Sequence, residues 1–125
     1  MDEIQVSLQR KRRLEQELAR CLRVLIDTYN PERVIVFGSF ASGQIHAWSD
    51  LDWVIVEPTE QPFLERARLI RKLLNPQVGM DFLVYTPEEF EQLCRERPFF
   101  RDEIVAKGVV AYERGQRPMA DVCAR

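Results

Sequence analysis

The feature that most constrains this chain is a run of five residues, Arg33-Val34-Ile35-Val36-Phe37, fenced by Asn30-Pro31 and Gly38-Ser39. It is β-branched, apolar and too short for a helix, so it reads as a buried strand. Two similar runs follow. Leu51-Asp52-Trp53-Val54-Ile55-Val56 is closed by Pro58, and Met80-Asp81-Phe82-Leu83-Val84-Tyr85 lies between Asn75-Pro76 and Thr86-Pro87. The segments between them carry helical signals. Residues 3–28 place Leu14, Leu18, Cys21, Leu22 and Leu25 on one stripe, and Asn30-Pro31 ends that helix. Pro62 opens a second helix, with Phe63, Leu64, Ala67, Ile70, Leu73 and Leu74 as its apolar face. Thr86 and Glu89 form a capping box for a third. Pro98 starts a fourth, short one, with Phe100 and Ile104 on one face and Gly108 as its stop. Val109-Val110-Ala111-Tyr112 reads as a last short strand. The expected architecture is a small mixed β-sheet flanked by helices, an α/β (α+β) arrangement.

Composition sets the outer limits. A length of 125 residues with 46% apolar content supports one domain with one core. It is too short for a separate substrate domain. We place the domain at 1–114, with an N-terminal helix at 1–29, a core at 33–112 and a flexible tail at 115–125. Eighteen Lys and Arg against 20 Asp and Glu leave no basic excess, which argues against general nucleic-acid binding. No apolar run approaches the roughly 20 residues needed to cross a bilayer, and Met1-Asp2-Glu3 lacks the layout of a signal peptide. Cys21, Cys94 and Cys123 are odd in number and far apart, so neither a disulfide framework nor a zinc site is expected. They read as two core-lining thiols and one in the tail. The expected setting is a reducing cytoplasm.

The chemistry concentrates between residues 34 and 56. Gly38-Ser39 follows a strand directly, where a helix would start. Backbone N–H groups at such a point lack partners and favour an anion such as phosphate. Glycine lets the backbone approach that ligand closely. Asp50 and Asp52 are two apart, which on a strand puts both carboxylates on one face. Two neighbouring carboxylates repel unless a cation separates them, and Mg2+ suits hard oxygen ligands shared with phosphates. Asp81 is a third carboxylate in an otherwise apolar strand. It either sits at the strand's exposed end or joins the cation site.

The segment Gly38-Ser39, ten residues, Asp50-Leu51-Asp52 resembles the signature of the nucleotidyltransferase superfamily that includes DNA polymerase beta. The short length and the continuation Asp81-Phe82-Leu83-Val84-Tyr85-Thr86-Pro87-Glu88-Glu89-Phe90 resemble its minimal nucleotidyltransferase (MNT) branch. The similarity extends over about residues 14–113. It implies the polymerase beta-like fold, with Asp50, Asp52 and Asp81 as catalytic, metal-binding carboxylates. Two Mg2+ ions and a triphosphate held by Gly38 and Ser39 complete the implied site. The implied reaction is attack of a hydroxyl on the α-phosphorus of an NTP, with pyrophosphate leaving. In the MNT branch a catalytic domain is commonly partnered with a helical HEPN protein. The implied function is therefore an antitoxin that moves AMP from ATP onto a hydroxyl, a tyrosine, of a HEPN toxin. Two departures stand out. Residues 44–48, Gln-Ile-His-Ala-Trp, hold no Lys or Arg where many relatives carry a basic residue, and Trp53 is bulky for its position.

Several residues read better as structure. His46 is expected in a solvent-exposed loop and Trp48 as an apolar plug over the core. Tyr112, Phe99 and Phe100 are expected in the core. Arg10-Lys11-Arg12-Arg13 covers a full helical turn, so it forms no flat basic face and reads as a solvated helix with scope for a partner contact. Two other functions fit a chain of this kind: a binding module that neutralises its partner by covering it, and a nucleotidyltransferase acting on a small molecule such as an antibiotic. The sheet edge is to be covered by a second copy or by the partner.

Overall fold

A computed structural model describes residues 2–115. Cys123 and all but the first residue of the expected tail lie outside them. The elements run α1 (Glu3–Thr28), β1 (Arg33–Phe37), α2 (Ser39–Ser42), β2 (Leu51–Val56), α3 (Phe63–Leu74), β3 (Met80–Tyr85), α4 (Pro87–Glu96), a π-helical turn (Phe100–Val105) and β4 (Val109–Glu113). The four strands form one mixed sheet in the order β3-β2-β1-β4. β1 is antiparallel to both β2 and β4, while β2 and β3 run parallel. The parallel pair is the one joined through a helix, α3, as a crossover requires.

The two faces of the sheet bury different sets of side chains. Val34 and Val36, Leu51, Trp53 and Ile55, and Met80, Phe82 and Val84 pack with Leu14, Leu18, Cys21, Leu22 and Leu25 of α1 and Ile70 and Leu74 of α3. The opposite face buries Ile35, Val54 and Val56 against Phe90 of α4 and Phe100 of the π-helical turn. Period-two alternation then decides where the acidic residues go: Asp52 shares its face with Val54, and Asp81 shares its face with Leu83. Their partners in register confirm the level, since Asp52 pairs with Phe37 and with Asp81. Both aspartates therefore sit at one end of the second face.

The helix termini follow their local chemistry. The Asp2 side chain caps α1 by accepting from the Gln5 N–H at 2.8 Å. Thr86 and Glu89 form the reciprocal capping box on α4. Gly108 must be glycine for a steric reason, because a Cβ there would lie 2.5 Å from the Ile104 carbonyl oxygen and 2.7 Å from Ile35.

Three expectations about packing are corrected. α3 buries only Ile70 and Leu74 and half-buries Ala67, leaving Phe63, Leu64 and Leu73 exposed. A 12-residue helix lying on a sheet offers one side to it, and Phe63 instead rests on Tyr85 with ring centroids 5.5 Å apart. Phe99 points outward while Phe100 is buried, because adjacent helical residues face different ways. Trp48 is no plug over the core: it is 75% exposed and leans on His46, which is also exposed. Trp53 lies fully buried against Phe82, and its indole N–H has no hydrogen-bond partner there. Cys21 is buried and Cys94 half-buried, as read. No helix among the described residues is long and apolar enough to cross a membrane.

Candidate active site

The site lies where β1 ends and where β2 and β3 begin. Antiparallel pairing carries the end of β1 to the start of β2, so Gly38 arrives beside Asp52. The approach is close enough that a Cβ on Gly38 would stand 2.3 Å from the Asp52 carboxylate. Gly38 also holds φ +79° and ψ −153°, a conformation that side chains other than glycine's resist. Ser39 opens the four-residue α2 directly afterwards, and no side chain caps that turn. The start of α2 thus follows directly on the glycine that packs against Asp52.

Asp52 and Asp81 face each other across the parallel pair. Asp52 is held above the ordinary carboxyl range, first by its partial burial, then by the charges of Asp81 and Asp50 and by a hydrogen bond with Asp81. Asp81 itself is exposed at the strand's start, the first of the two alternatives raised for it. Asp50 precedes β2 and is more open, with its side chain 51% exposed. It leans on Gly79, where a Cβ would be 2.3 Å from Asp50 Oδ1. Among the described residues no three acidic, histidine or cysteine side chains converge as a ready-made metal cluster. The donor set nevertheless suits a hard divalent cation: all three groups are carboxylates, and Asp52 is raised by burial and then by the neighbouring charges of Asp81 and Asp50, which a cation would offset.

Sequence reasoning missed what holds these carboxylates in place. Arg10, read as solvated, donates from Nε to the Ser49 carbonyl oxygen at 2.9 Å, and its Nη2 lies 4.0 Å from Asp50 Oδ1. Arg13 reaches the Gln77 carbonyl oxygen at 3.4 Å. Glu17 accepts from the Gln77 N–H at 2.8 Å and from Arg20, which holds its carboxyl below the usual range. Arg20 also donates to the Asn75 carbonyl oxygen. One edge of α1 therefore buckles the loop before β2 and the loop before β3. The two loops are joined by the Leu51 N–H, which donates to the Gly79 carbonyl oxygen at 3.1 Å. From α3, Arg71 donates to the Met80 carbonyl oxygen at 2.7 Å, just ahead of Asp81. A signal existed: residues 10, 13, 17 and 20 keep helical spacing along the flank of the Leu14–Leu18–Cys21 stripe.

Comparison with known proteins agrees with this geometry. The family model of the nucleotidyltransferase domain matches residues 16–111. A crystal structure of a provisionally assigned nucleotidyltransferase from Sulfolobus solfataricus superposes with a TM-score of 0.67 at 16% identity, covering 90% of this chain and 92% of its own. A toxin–antitoxin complex crystallised with AMP-PNP superposes with a TM-score of 0.50 at 17% identity, covering 88% of this chain and 80% of its own. No curated protein sequence matches significantly. At such identities the structures speak for the fold. The family match spans most of the chain and contains the whole Gly38-Ser39 to Asp81 constellation, and on that ground the chain belongs to the nucleotidyltransferase domain family.

Proposed function

We propose that this chain transfers AMP from ATP to a hydroxyl group of a partner protein, a tyrosine of a HEPN toxin, and so acts as an antitoxin. The observation that carries the reading is the pairing of Asp52 with Asp81 directly beside the Gly38-Ser39 turn. Carboxylates and unpaired N–H groups in contact make a place for a cation and a polyphosphate together. Asp52 and Asp81 would hold Mg2+, and Asp50 would join them by turning its exposed side chain off Gly79. Two such ions, when bound, stabilise the entering and leaving oxygens of an in-line displacement. Gly38 and Ser39 cradle the triphosphate. In this reading Asp81, exposed at the strand's start, takes the proton of the acceptor hydroxyl. The acceptor oxygen then bonds to the α-phosphorus as the bond to pyrophosphate breaks.

The partner enters through economy of structure. The described residues are spent on the sheet, its covering helices and the loops that seat the aspartates, which leaves the acceptor to come from outside them. The likeness to a toxin–antitoxin complex supports a toxin in that role. The test is intact-mass spectrometry of proteins that co-purify with the chain, before and after Mg-ATP. A partner that gains one or more AMP masses with the wild type, but none with the Asp50→Ala, Asp52→Ala double variant, supports the proposal. A tightly bound partner whose mass never changes with any NTP refutes transfer and favours neutralisation by covering.

A further inference from the structure

The loop from Gly43 to Asp50 contains no Lys or Arg, so a polyphosphate at the Gly38-Ser39 turn needs a positive charge from elsewhere. The structure brings one, Arg10 of α1, to the Asp50 side of the site, across 39 residues of sequence from Ser49. Arg10 is held by one edge: its Nε is spent on the Ser49 carbonyl oxygen at 2.9 Å, and its side chain is only 22% exposed. Ser49 is itself fixed, being 2% exposed and accepting at Oγ from the His46 N–H at 2.9 Å. The guanidinium is thereby pinned in a plane, with Nη2 turned toward Asp50 Oδ1. Their separation of 4.0 Å is too long for a hydrogen bond but short enough for Coulombic attraction.

We infer that Arg10 is a phosphate-binding residue of this site, balancing Asp50 when no nucleotide is present and exchanging that partner for the nucleotide's phosphates. The inference rests on the nucleotide-transfer reading above. A guanidinium offers five donors in a fixed fork, so the Ser49 hydrogen bond leaves others for phosphate oxygens. Asp50 is half-exposed and free to turn, so the exchange needs no movement of the backbone. It also gives the site an order: an anion that takes up Arg10's free donors releases Asp50 to the cation, which makes nucleotide and metal favour each other.

That exchange predicts effects of opposite sign, which a purely structural role would not produce. Isothermal titration calorimetry on the full chain would measure binding of Mg-ATP and, separately, of Mn2+ alone, which takes similar oxygen ligands. Arg10→Gln should weaken Mg-ATP about tenfold, the scale of one lost charge-assisted hydrogen bond. The same variant should bind Mn2+ alone about threefold more tightly, because a competing cation has left Asp50. Arg10→Lys should retain part of the nucleotide affinity, and Arg12→Gln should match the wild type. Unchanged Mg-ATP affinity in Arg10→Gln would overturn the inference. So would a joint loss of both ligands, which would mean that Arg10 only supports the Ser49 loop. A wild-type chain that binds no Mg-ATP would overturn the nucleotide-transfer reading as well, which distinguishes the two failures.

Discussion

Two glycines with nearly the same φ, Gly38 at +79° and Gly43 at +81°, allow the closeness of Gly38 to Asp52 to be measured. Replacing either with alanine puts a Cβ on a left-handed backbone, which costs about 1–2 kcal/mol. At Gly43 nothing lies within 4 Å of the new Cβ, so that is the whole effect. At Gly38 the Cβ would meet Asp52 Oδ2 at 2.3 Å, and the ψ of −153° is in a region that is essentially glycine's alone. The carboxylate or the turn must move, adding about 1–2 kcal/mol. With an unfolding entropy near 2.1 cal/mol/K per residue, each kcal/mol shifts the Tm of a domain of this size by about 4 °C. Gly43→Ala should therefore melt roughly 4–8 °C below the wild type and keep Mg-ATP binding. Gly38→Ala should melt a further ~4–8 °C lower and lose Mg-ATP binding. Calorimetric melting and a nucleotide titration on both variants provide the assay. A Gly38→Ala protein as stable as Gly43→Ala, with nucleotide binding intact, would refute the packing of Gly38 on Asp52.

Other residues give further checks. Gly79→Ala drives a Cβ against Asp50, whose exposed side chain can swing away. It should change stability by less than ~1 kcal/mol but lower transfer about 100-fold, since small misplacements of reacting groups have effects of that size; intact-mass kinetics would show it. Glu57 is buried at the end of β2, and desolvation raises its carboxyl above the usual range. Its contribution is present below the unfolded-state value near pH 4.3 and is lost as pH rises through the higher folded value. Glu57→Gln should therefore melt higher than the wild type at about pH 7, with the difference vanishing near pH 4, in a series of melting curves. The Cys21 thiol is fully buried and pushed up to about 11 by desolvation. It should resist alkylation at neutral pH until the chain unfolds, as mass mapping of labelled peptides would show.

Much of this arrangement is legible in the sequence because strands and helices impose short periods. The five residues Arg33–Phe37, the alternation in Leu51–Val56 and the stripe in α1 were each read within a few residues of their observed bounds. Alternation pairs Asp50 with Asp52, whereas it is the β2–β3 register that sets Asp52 beside Asp81, with Gly38 close to Asp52. What escaped the sequence are contacts that depend on the angle at which one element crosses another. Arg10 reaches Ser49 across 39 residues and Glu17 reaches Gln77 across 60, distances over which no local period operates. Gly79 escaped for the same reason: its Cα became important only once Asp50 was folded against it. The misjudged side chains, Leu64, Phe99 and Trp48, are apolar residues on the surface, where burial is a matter of which side is covered.

The central claim is that Asp52 and Asp81, beside Gly38 and Ser39, form a joint site for a divalent cation and a nucleotide. Thermal melting of the wild type and of Asp52→Asn, each with Mg2+, ATP and both together, tests it most directly. The account predicts a wild-type Tm raised by about 10 °C with Mg-ATP, corresponding to about 2.7 kcal/mol at a hundredfold excess over Kd. It predicts little change with either component alone, and none with both for Asp52→Asn. A well-folded wild type that does not shift with Mg-ATP, or an Asp52→Asn variant that shifts equally, would contradict it.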